Sequence, residues 1–475
     1  MNEKVKEFTA FEKKRKLFKR RYLGVPYWQS CRMFLLSDIL QTKQHTGKCC
    51  FSDKLLLGIK IFRDFTVDFI KYVSLSKCDI LYFDGCSYRI IDGESVDPYF
   101  DYFDFDKKYR VQRCFHIYSR QKKTSLAGIG TVIPRVFEYV LNLCSGMAMG
   151  FDRDKKEERF LEKLALKLED DFHAGLTSYE FIQIVRKNVR IHKIYNKYYE
   201  KLILKCKPKA IFVVCHYNGY LFPLYSAARK YGIPVIELQH GQIMNHEAYW
   251  YEDTTSTGKE LPDYFFTYGS FWSEDIKLPE NMKIVPIGNP FLENRKKTYQ
   301  TCVQNEKMMV FYSSRLAAKE MEQLAVDAWN YFGKKGYQIF FKIHPLEYDG
   351  WKEQYQLLNK YPQIHVVTPD IDLYKLLSCA KHHITYASTV FYEAAVFENN
   401  RYIYELGNLG DSLQPLVDLK LAYKFKTIKQ LAQMLDMSMG SIWDHESEIW
   451  MKEAKRNGQV KLREIIHGQK YKNKR

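Results

Sequence analysis

Proline is scarce, 14 in 475 residues, and no proline-rich stretch, low-complexity linker or internal repeat breaks the chain. That excludes a disordered or fibrous protein and leaves one that is globular along its length, with disorder confined to the ends. Long apolar runs are missing too. No uninterrupted segment reaches the ~18–20 residues a membrane-crossing helix needs; the longest candidate, 131–151, carries Arg135 and Glu138 and reads as a buried helix. The opening MNEKVKEFTAFEKKRKLFKRR has no apolar signal core. The eleven cysteines show no repeated CxxC or Cys/His spacing, and Cys49 and Cys50 are adjacent. A zinc site and a disulfide framework are both disfavoured, and a reducing cytoplasm fits best.

Lys and Arg, by contrast, are in excess. A formal charge of +17 favours an anionic partner: nucleic acid, acidic lipid or a phosphorylated substrate. The basic residues are spread along the chain without a helix-turn-helix, RRM or zinc-finger signature, which argues against nucleic acid despite 36 tyrosines. The length exceeds what one core supports, so two domains are expected. We read 1–300 as an N-terminal domain opening with a basic helical segment over 1–60. A second α/β domain covers 301–426, and helices with a basic tail fill 427–475. In the opening segment Lys13 to Arg21 suit an acidic lipid surface, with Phe11, Leu17 and Phe18 dipping inward; a solvated basic helix end is the plainer reading.

Apolar runs bounded by turn residues locate the strands. CDILYFD ends at Asp84-Gly85. KAIFVVCH, IPVIELQHG, DYFFTYG and KIVPIGNP follow, with a helix between the first two ending near Gly232, which predicts a parallel sheet with helices on both faces. Residues 152–205 read as helices. The polar stretch 298–306 marks the boundary, and further strands are expected near 308–312, 338–343, 364–367, 382–386 and 401–404.

Two motifs of the second domain carry chemistry. YQIFFKIHP ends a strand at His344, where open α/β sheets bind ligands, and Pro345 turns the chain. In HHITYASTVFYEAA, Ser388 and Thr389 sit where a helix N-cap belongs, so hydroxyls and backbone N–H groups meet an anion, with Glu393 one turn in. Ser313, Ser314 and Arg315, after the first strand of this domain, are further candidates for phosphate contacts, whereas Lys342 alternates away from His344 and reads as an exposed strand residue.

Residues 209–424 resemble GT-B glycosyltransferases of bacterial capsule and surface-polysaccharide synthesis, together with wall teichoic acid glycerophosphate polymerases and bacterial polysialyltransferases. Gln239-His240-Gly241, Lys342-Ile343-His344-Pro345, Ser388-Thr389 with Glu393, and the final GNLGDSLQPLVD carry the likeness. The resemblance implies two Rossmann-type domains facing one cleft, a donor-phosphate role for His344, and a ribose-binding role for Glu393. It implies that the first domain supplies the acceptor site and the base: His240 first, with His216 in CHYNG and Asp84 in YFDG as rivals. Gln239, Gly241 and Asn218 lie on the acceptor side, and a loop with His246, Glu247 and Asp253 gates it. Phe83 departs from the polysialyltransferase acidic pair, which leaves a sialic-acid donor in doubt.

The D-x-D of Asp104-Phe105-Asp106 spells a metal motif, but it lies in an aromatic-acidic alternation without a glycine-rich approach. We expect neither an essential metal nor a cofactor. The expected activity is glycosyl transfer from a nucleotide-sugar donor to a growing capsular or lipopolysaccharide-type glycan, catalysed by an enzyme peripheral to the inner face of the cytoplasmic membrane. Transfer of glycerol or ribitol phosphate from a CDP-alcohol is the alternative, followed by non-hydrolysing nucleotide-sugar epimerisation.

Overall fold

Two parallel sheets organise the chain. The computed structural model describes residues 1–40, 65, 69–85, 89–91, 94–105, 107–112, 128–130, 133–134, 136–137, 153–256, 260–314, 317–344, 347–348, 350–368, 371–406, 411–437, 439 and 449–472. Most of the expected 131–151 helix, Cys49, Cys50, Asp106, Arg315 and Pro345 lie outside these residues.

The first sheet contains β1 (Ile80–Phe83), β2 (Lys108–Gln112), β3 (Gly128–Gly130), β4 (Ala210–Val214), β5 (Val235–Leu238), β6 (Tyr264–Thr267) and β7 (Lys283–Pro286). Its order is β7-β6-β5-β4-β1-β2-β3, every pairing parallel. Side chains alternate between two apolar layers. Leu81, Phe83, Ile211 and Val213 face one core cluster, while Ile80, Tyr82, Phe212 and Val214 face another, so both faces are covered.

Helices α1 (Glu3–Lys14), α2 (Trp28–Ile39), α3 (Lys155–Phe172), α4 (Ser178–Cys206) and α5 (Phe222–Lys230) complete this region. A capping box of Thr177 and Glu180 starts α4. Phe8, Phe11, Leu17 and Phe18 are buried with α3 and α4 residues. The apolar side chains of this segment thus dip into protein, while Lys13, Lys14, Lys16 and Lys19 are exposed. Of its cations, Arg20 forks onto Glu157 at 2.9 Å from Nε and 2.5 Å from Nη2, and Arg21 meets Glu260 at 3.1 Å. Among the described residues no helix is long and apolar enough to cross a membrane.

The second sheet contains β8 (Asn305–Tyr312), β9 (Gln338–Lys342), β10 (His365–Val367), β11 (Ala380–Thr385), β12 (Asn400–Tyr404) and β13 (Tyr423–Phe425). It runs β10-β9-β8-β11-β12-β13, again all parallel. Around it lie α6 (Pro290–Tyr299), α7 (Ala318–Phe332), α8 (Leu373–Cys379), α9 (Val390–Ala394) and α10 (Ile428–Met434). Two Rossmann-like parallel-sheet domains with added N-terminal helices are thus the observed fold.

The chain divides into one unit of Met1–Arg89, Glu94–Ile287 and Lys455–Arg475, and another of Ile90–Gly93 and Gly288–Ala454. The division differs from the expected 300/301 because the polar stretch is the end of α6 running into β8, not a linker. The last helix, α11 (Ala454–Lys472), returns almost whole to the first unit, where Leu462 and Ile465 join the core beside Phe212 and Ile287, and Asn457 Nδ2 donates to the Ile287 carbonyl at 3.4 Å. Within the second unit Gly288, at φ +99°, allows no side chain, since a Cβ would collide with the Met451 carbonyl oxygen.

Candidate functional site

The order of the second sheet reverses direction between β8 and β11, and the strand-end motifs flank that point. Ser313 follows β8, His344 follows β9 by one residue, and Ser388 and Thr389 follow β11. Open parallel sheets leave a crevice at the carboxyl ends of the two strands where winding reverses.

Ser313 joins two of these elements. Its buried hydroxyl accepts from the His344 N–H at 2.7 Å and donates to Glu347 Oε2 at 2.6 Å. Glu347 is buried too, its Oε1 accepting from Gln354 Nε2 and Tyr355 OH, both at 2.8 Å. Both hydroxyl functions of Ser313 are engaged, so it positions the His344 backbone where the sequence suggested a phosphate contact. The His344 side chain is exposed. Ser314 is half-buried, its carbonyl accepting from Ala317 N–H at 3.0 Å. Lys342, expected exposed, is buried, with Nζ donating to the Ile343 carbonyl at 2.8 Å and to Tyr348 OH at 2.5 Å. At the carboxyl end of a sheet covered on both faces, alternation turns a side chain from one interior layer to the other.

Helix α9 is five residues long. Thr389 precedes it in a helical conformation, φ −62° and ψ −13°, with no side-chain cap bond, and is exposed; the expected N-cap hydrogen bond comes from Ser388, whose Oγ accepts from Val390 N–H at 3.4 Å. The Ser388 N–H donates to Thr385 Oγ1 at 3.1 Å. Glu393 is half-buried and accepts from Tyr374 OH at 2.6 Å, which fixes one carboxylate oxygen.

In the first sheet the reversal falls between β1 and β4, with Asp84 after one strand and His216 after the other. Gly85 fits closely there: a Cβ would stand 2.8 Å from Val214 Cγ1, so a larger residue would force a shift. Asp84 is fully buried, and so is His216. Glu237 of β5, also fully buried, organises the centre: Oε1 accepts from the His216 N–H at 3.0 Å and Tyr249 OH at 2.9 Å, while Oε2 faces His216 Nδ1 at 2.9 Å. Burial pushes this carboxyl up, but the His216 contacts outweigh it and hold it below the ordinary range. His216 Nε2 lies 3.4 Å from Tyr251 OH, which accepts from Gln29 Nε2 of α2 at 2.8 Å. His216 is thus a braced interior histidine, and direct contact with an acceptor is closed to it.

His240 differs. Tyr99 OH donates to its carbonyl at 3.0 Å and Tyr217 OH meets its Nε2 at 3.3 Å, while Nδ1 is enclosed without a hydrogen-bond partner. Burial lowers its pKa to about 4, so the ring stays neutral across the physiological range. Gln239 is a brace, its Oε1 accepting from Tyr268 N–H and its Nε2 donating to the Gly241 carbonyl, both at 2.8 Å. A Cβ at Gly241 would meet nothing within 4 Å. Asn218 N–H donates to the Cys215 carbonyl at 2.9 Å in the turn before α5.

The expected gating loop is held in place. His246 Nδ1 accepts from Ala248 N–H at 3.1 Å, Asp253 Oδ1 accepts from Ser256 N–H at 3.0 Å, and the carbonyls of Glu247 and Trp250 accept from Arg32 of α2. Asp104 of the D-x-D is exposed and paired with Lys455 at 2.6 Å. Glu237, Glu347, Tyr249 and Tyr251 escaped the sequence reading. The available signal for Glu237 was a carboxylate inside the apolar run VIEL, which a buried strand tolerates only with a partner.

No family model matches the sequence, and no curated protein matches it. Solved structures with a similar arrangement include UDP-GlcNAc 2-epimerase from Methanocaldococcus jannaschii, 12% identical, covering 81% of this chain and 99% of that one at a TM-score of 0.45. The UDP-N-acetylglucosamine 2-epimerase of Rickettsia bellii is 12% identical, covering 84% and 98% at 0.43. A GtfA/B complex is 11% identical, covering 58% and 61% at 0.37. The strand orders of this chain, independent of those likenesses, define its fold.

Proposed function

We propose that this chain is a glycosyltransferase that moves a sugar from a nucleotide-sugar donor to a growing capsular or lipopolysaccharide-type glycan at the cytoplasmic face of the membrane. The observation that carries the reading is the convergence of Ser313, His344, Ser388 and Thr389 on the winding reversal of the second sheet, with Glu393 on the helix that follows. An exposed imidazole at a strand end donates to a phosphate oxygen and stabilises charge as the nucleotide leaves. Glu393, with one oxygen fixed by Tyr374, accepts from ribose hydroxyls. The excess of basic residues suits a phosphorylated donor and an anionic surface.

In transfer, the bond from the anomeric carbon to the donor phosphate breaks, its electron pair leaving with the nucleotide. The acceptor oxygen bonds to that carbon and gives up its proton. His240, the first candidate for the base, keeps a neutral ring across the physiological range, the state a proton acceptor needs. His216 and Glu237 orient the surrounding loops.

The test is a thermal-shift panel of the whole chain against CMP, CDP, UDP, GDP and their sugar conjugates, followed by product analysis with and without a glycan acceptor. A midpoint rise with one nucleotide, and a glycosidic product only with acceptor, is expected. A phosphodiester product replaces sugar transfer with CDP-alcohol phosphotransfer, and conversion without acceptor replaces it with epimerisation. No shift with any nucleotide overturns the donor site.

A further inference from the structure

Cys302 lies between α6 and β8, and Cys379 is the last residue of α8. Their Sγ atoms are 2.9 Å apart although the residues are 77 positions apart in sequence, and both are half-buried. Cys78 and Cys206 are buried, which shields them from solutes, and Cys215 is half-buried. We propose that Cys302 and Cys379 form an oxidant-responsive dithiol, a modification site that closes to a disulfide on exposure to a peroxide.

The surroundings suit the two roles such chemistry needs. The Cys379 thiol and the Ser378 hydroxyl favour the Cys302 thiolate and hold its pKa below the ordinary thiol range, with Lys375 adding to the effect. Burial pushes Cys379 up, so it stays a thiol. Attack of the Cys302 thiolate on one peroxide oxygen breaks the O–O bond and, with a proton, releases water and leaves a sulfenic acid. Cys379 then attacks that sulfur, the S–S bond forms, its proton goes to the departing oxygen, and a second water leaves. Two thiols lose two electrons and one peroxide becomes two waters.

The link would tie the start of β8 to the end of α8, the helix whose Tyr374 holds Glu393. A cross-link spanning so long a loop stabilises mainly by restricting the unfolded chain.

The experiment treats the reduced full-length chain with stoichiometric hydrogen peroxide and maps an unreduced digest by mass spectrometry. A Cys302–Cys379 peptide two hydrogens lighter than the free pair is expected, with a thermal midpoint several degrees higher that dithiothreitol reverses. Cys302→Ser should abolish both effects and Cys215→Ser neither. A trivalent arylarsenical, which bridges two thiols without oxidising them, should be captured at the same pair. Sulfinic or sulfonic acid at Cys302 without the cross-link, cross-links to other cysteines, or no arsenical at this pair overturns the proposal. The arsenical arm reads the intact reduced chain, so it decides the matter even if Cys302→Ser fails to fold.

Discussion

His216 Nδ1 stands 2.9 Å from Glu237 Oε2, with both side chains wholly enclosed. A carboxylate in such a place persists only because partners saturate it, and Glu237 has three: the His216 ring, the His216 N–H and Tyr249 OH. Removing one member of a buried pair typically costs about 3–5 kcal/mol, through the desolvation of what remains. His216→Ala should therefore lower stability by that order, whereas Glu237→Gln, which keeps shape and one acceptor, should lower it less. Urea denaturation checks this; equal midpoints for wild type and His216→Ala would refute the brace.

His240→Ala should cut transfer by about 10²–10⁴-fold, the usual contribution of a positioned acid or base. Because burial holds its imidazole near pKa 4 in the free protein, kcat/KM should show no limb from this residue between pH 5 and 8 and should fall only as pH approaches 4. A wild-type limb near 6.5 that disappears in His240→Ala would contradict the burial assigned to it.

Acid should weaken the fold. Burial lowers His192, His240 and His382 to about 4 and His383 to about 3, against an unfolded value near 6.5. Between those limits the unfolded chain binds more protons, so stability is full above about 6.5 and falls as pH drops toward 4, by about 1.4 kcal/mol per histidine for each pKa unit at most. His383 is the clearest case, its Nε2–H donating to the Ala380 carbonyl at 3.0 Å and its Nδ1 accepting from Tyr312 OH at 2.8 Å. Urea midpoints at pH 7.5 and 5 should differ, the acidic one being lower; the reverse order would defeat the account.

His344→Ala should erase any nucleotide-induced thermal shift while leaving the unliganded midpoint nearly unchanged, because the side chain is exposed. Ser313→Ala should do both kinds of damage. It strips the buried Glu347 of a donor and the His344 N–H of its acceptor, costing about 1–3 kcal/mol and loosening the same strand end. Unchanged stability in Ser313→Ala would mean that the junction is not held by this hydroxyl.

Glu12→Ala should be among the most damaging changes outside the strand-end residues themselves. It leaves Arg32 buried without the carboxylate it meets at 3.1 Å and removes the acceptor of Trp28 Nε1 at 2.7 Å. A loss of about 3–5 kcal/mol is expected in chemical denaturation. Arg32 also donates to the 247–250 segment, so protease cutting there should accelerate.

Most strands of 209–286 and 305–404 were legible because the central ones are buried on both faces, leaving continuous apolar runs between turn residues. β2 was not, since KYRVQ carries Arg110, whose charge is met only in three dimensions by Asp101 at 2.6 Å. β13 is a three-residue YKF whose pairing with β12 no local pattern announces. The places of His344 and Ser388 after strand ends, and of Glu393 on the helix that follows, were readable from their order in the chain. Glu347 and Tyr251 were not, because their importance lies in what they touch across the fold. Lys342 misled for a related reason: period-2 alternation says that neighbours face opposite ways, but not that one way is water.

The adjacency of Ile287 and Asn457 bears on how such a protein can change. One unit is interrupted after Ile287 and resumes at Lys455, and the hydrogen bond between Asn457 and Ile287 makes the exit and the return neighbours. An insertion whose two ends meet can be lengthened, exchanged or excised without tearing its host, as tolerated domain insertions are. Residues 288–454, which make up the second unit apart from Ile90–Gly93, are in that sense a cassette. The last helix, which looks like a disposable basic tail, is part of the core of its own unit through Leu462 and Ile465.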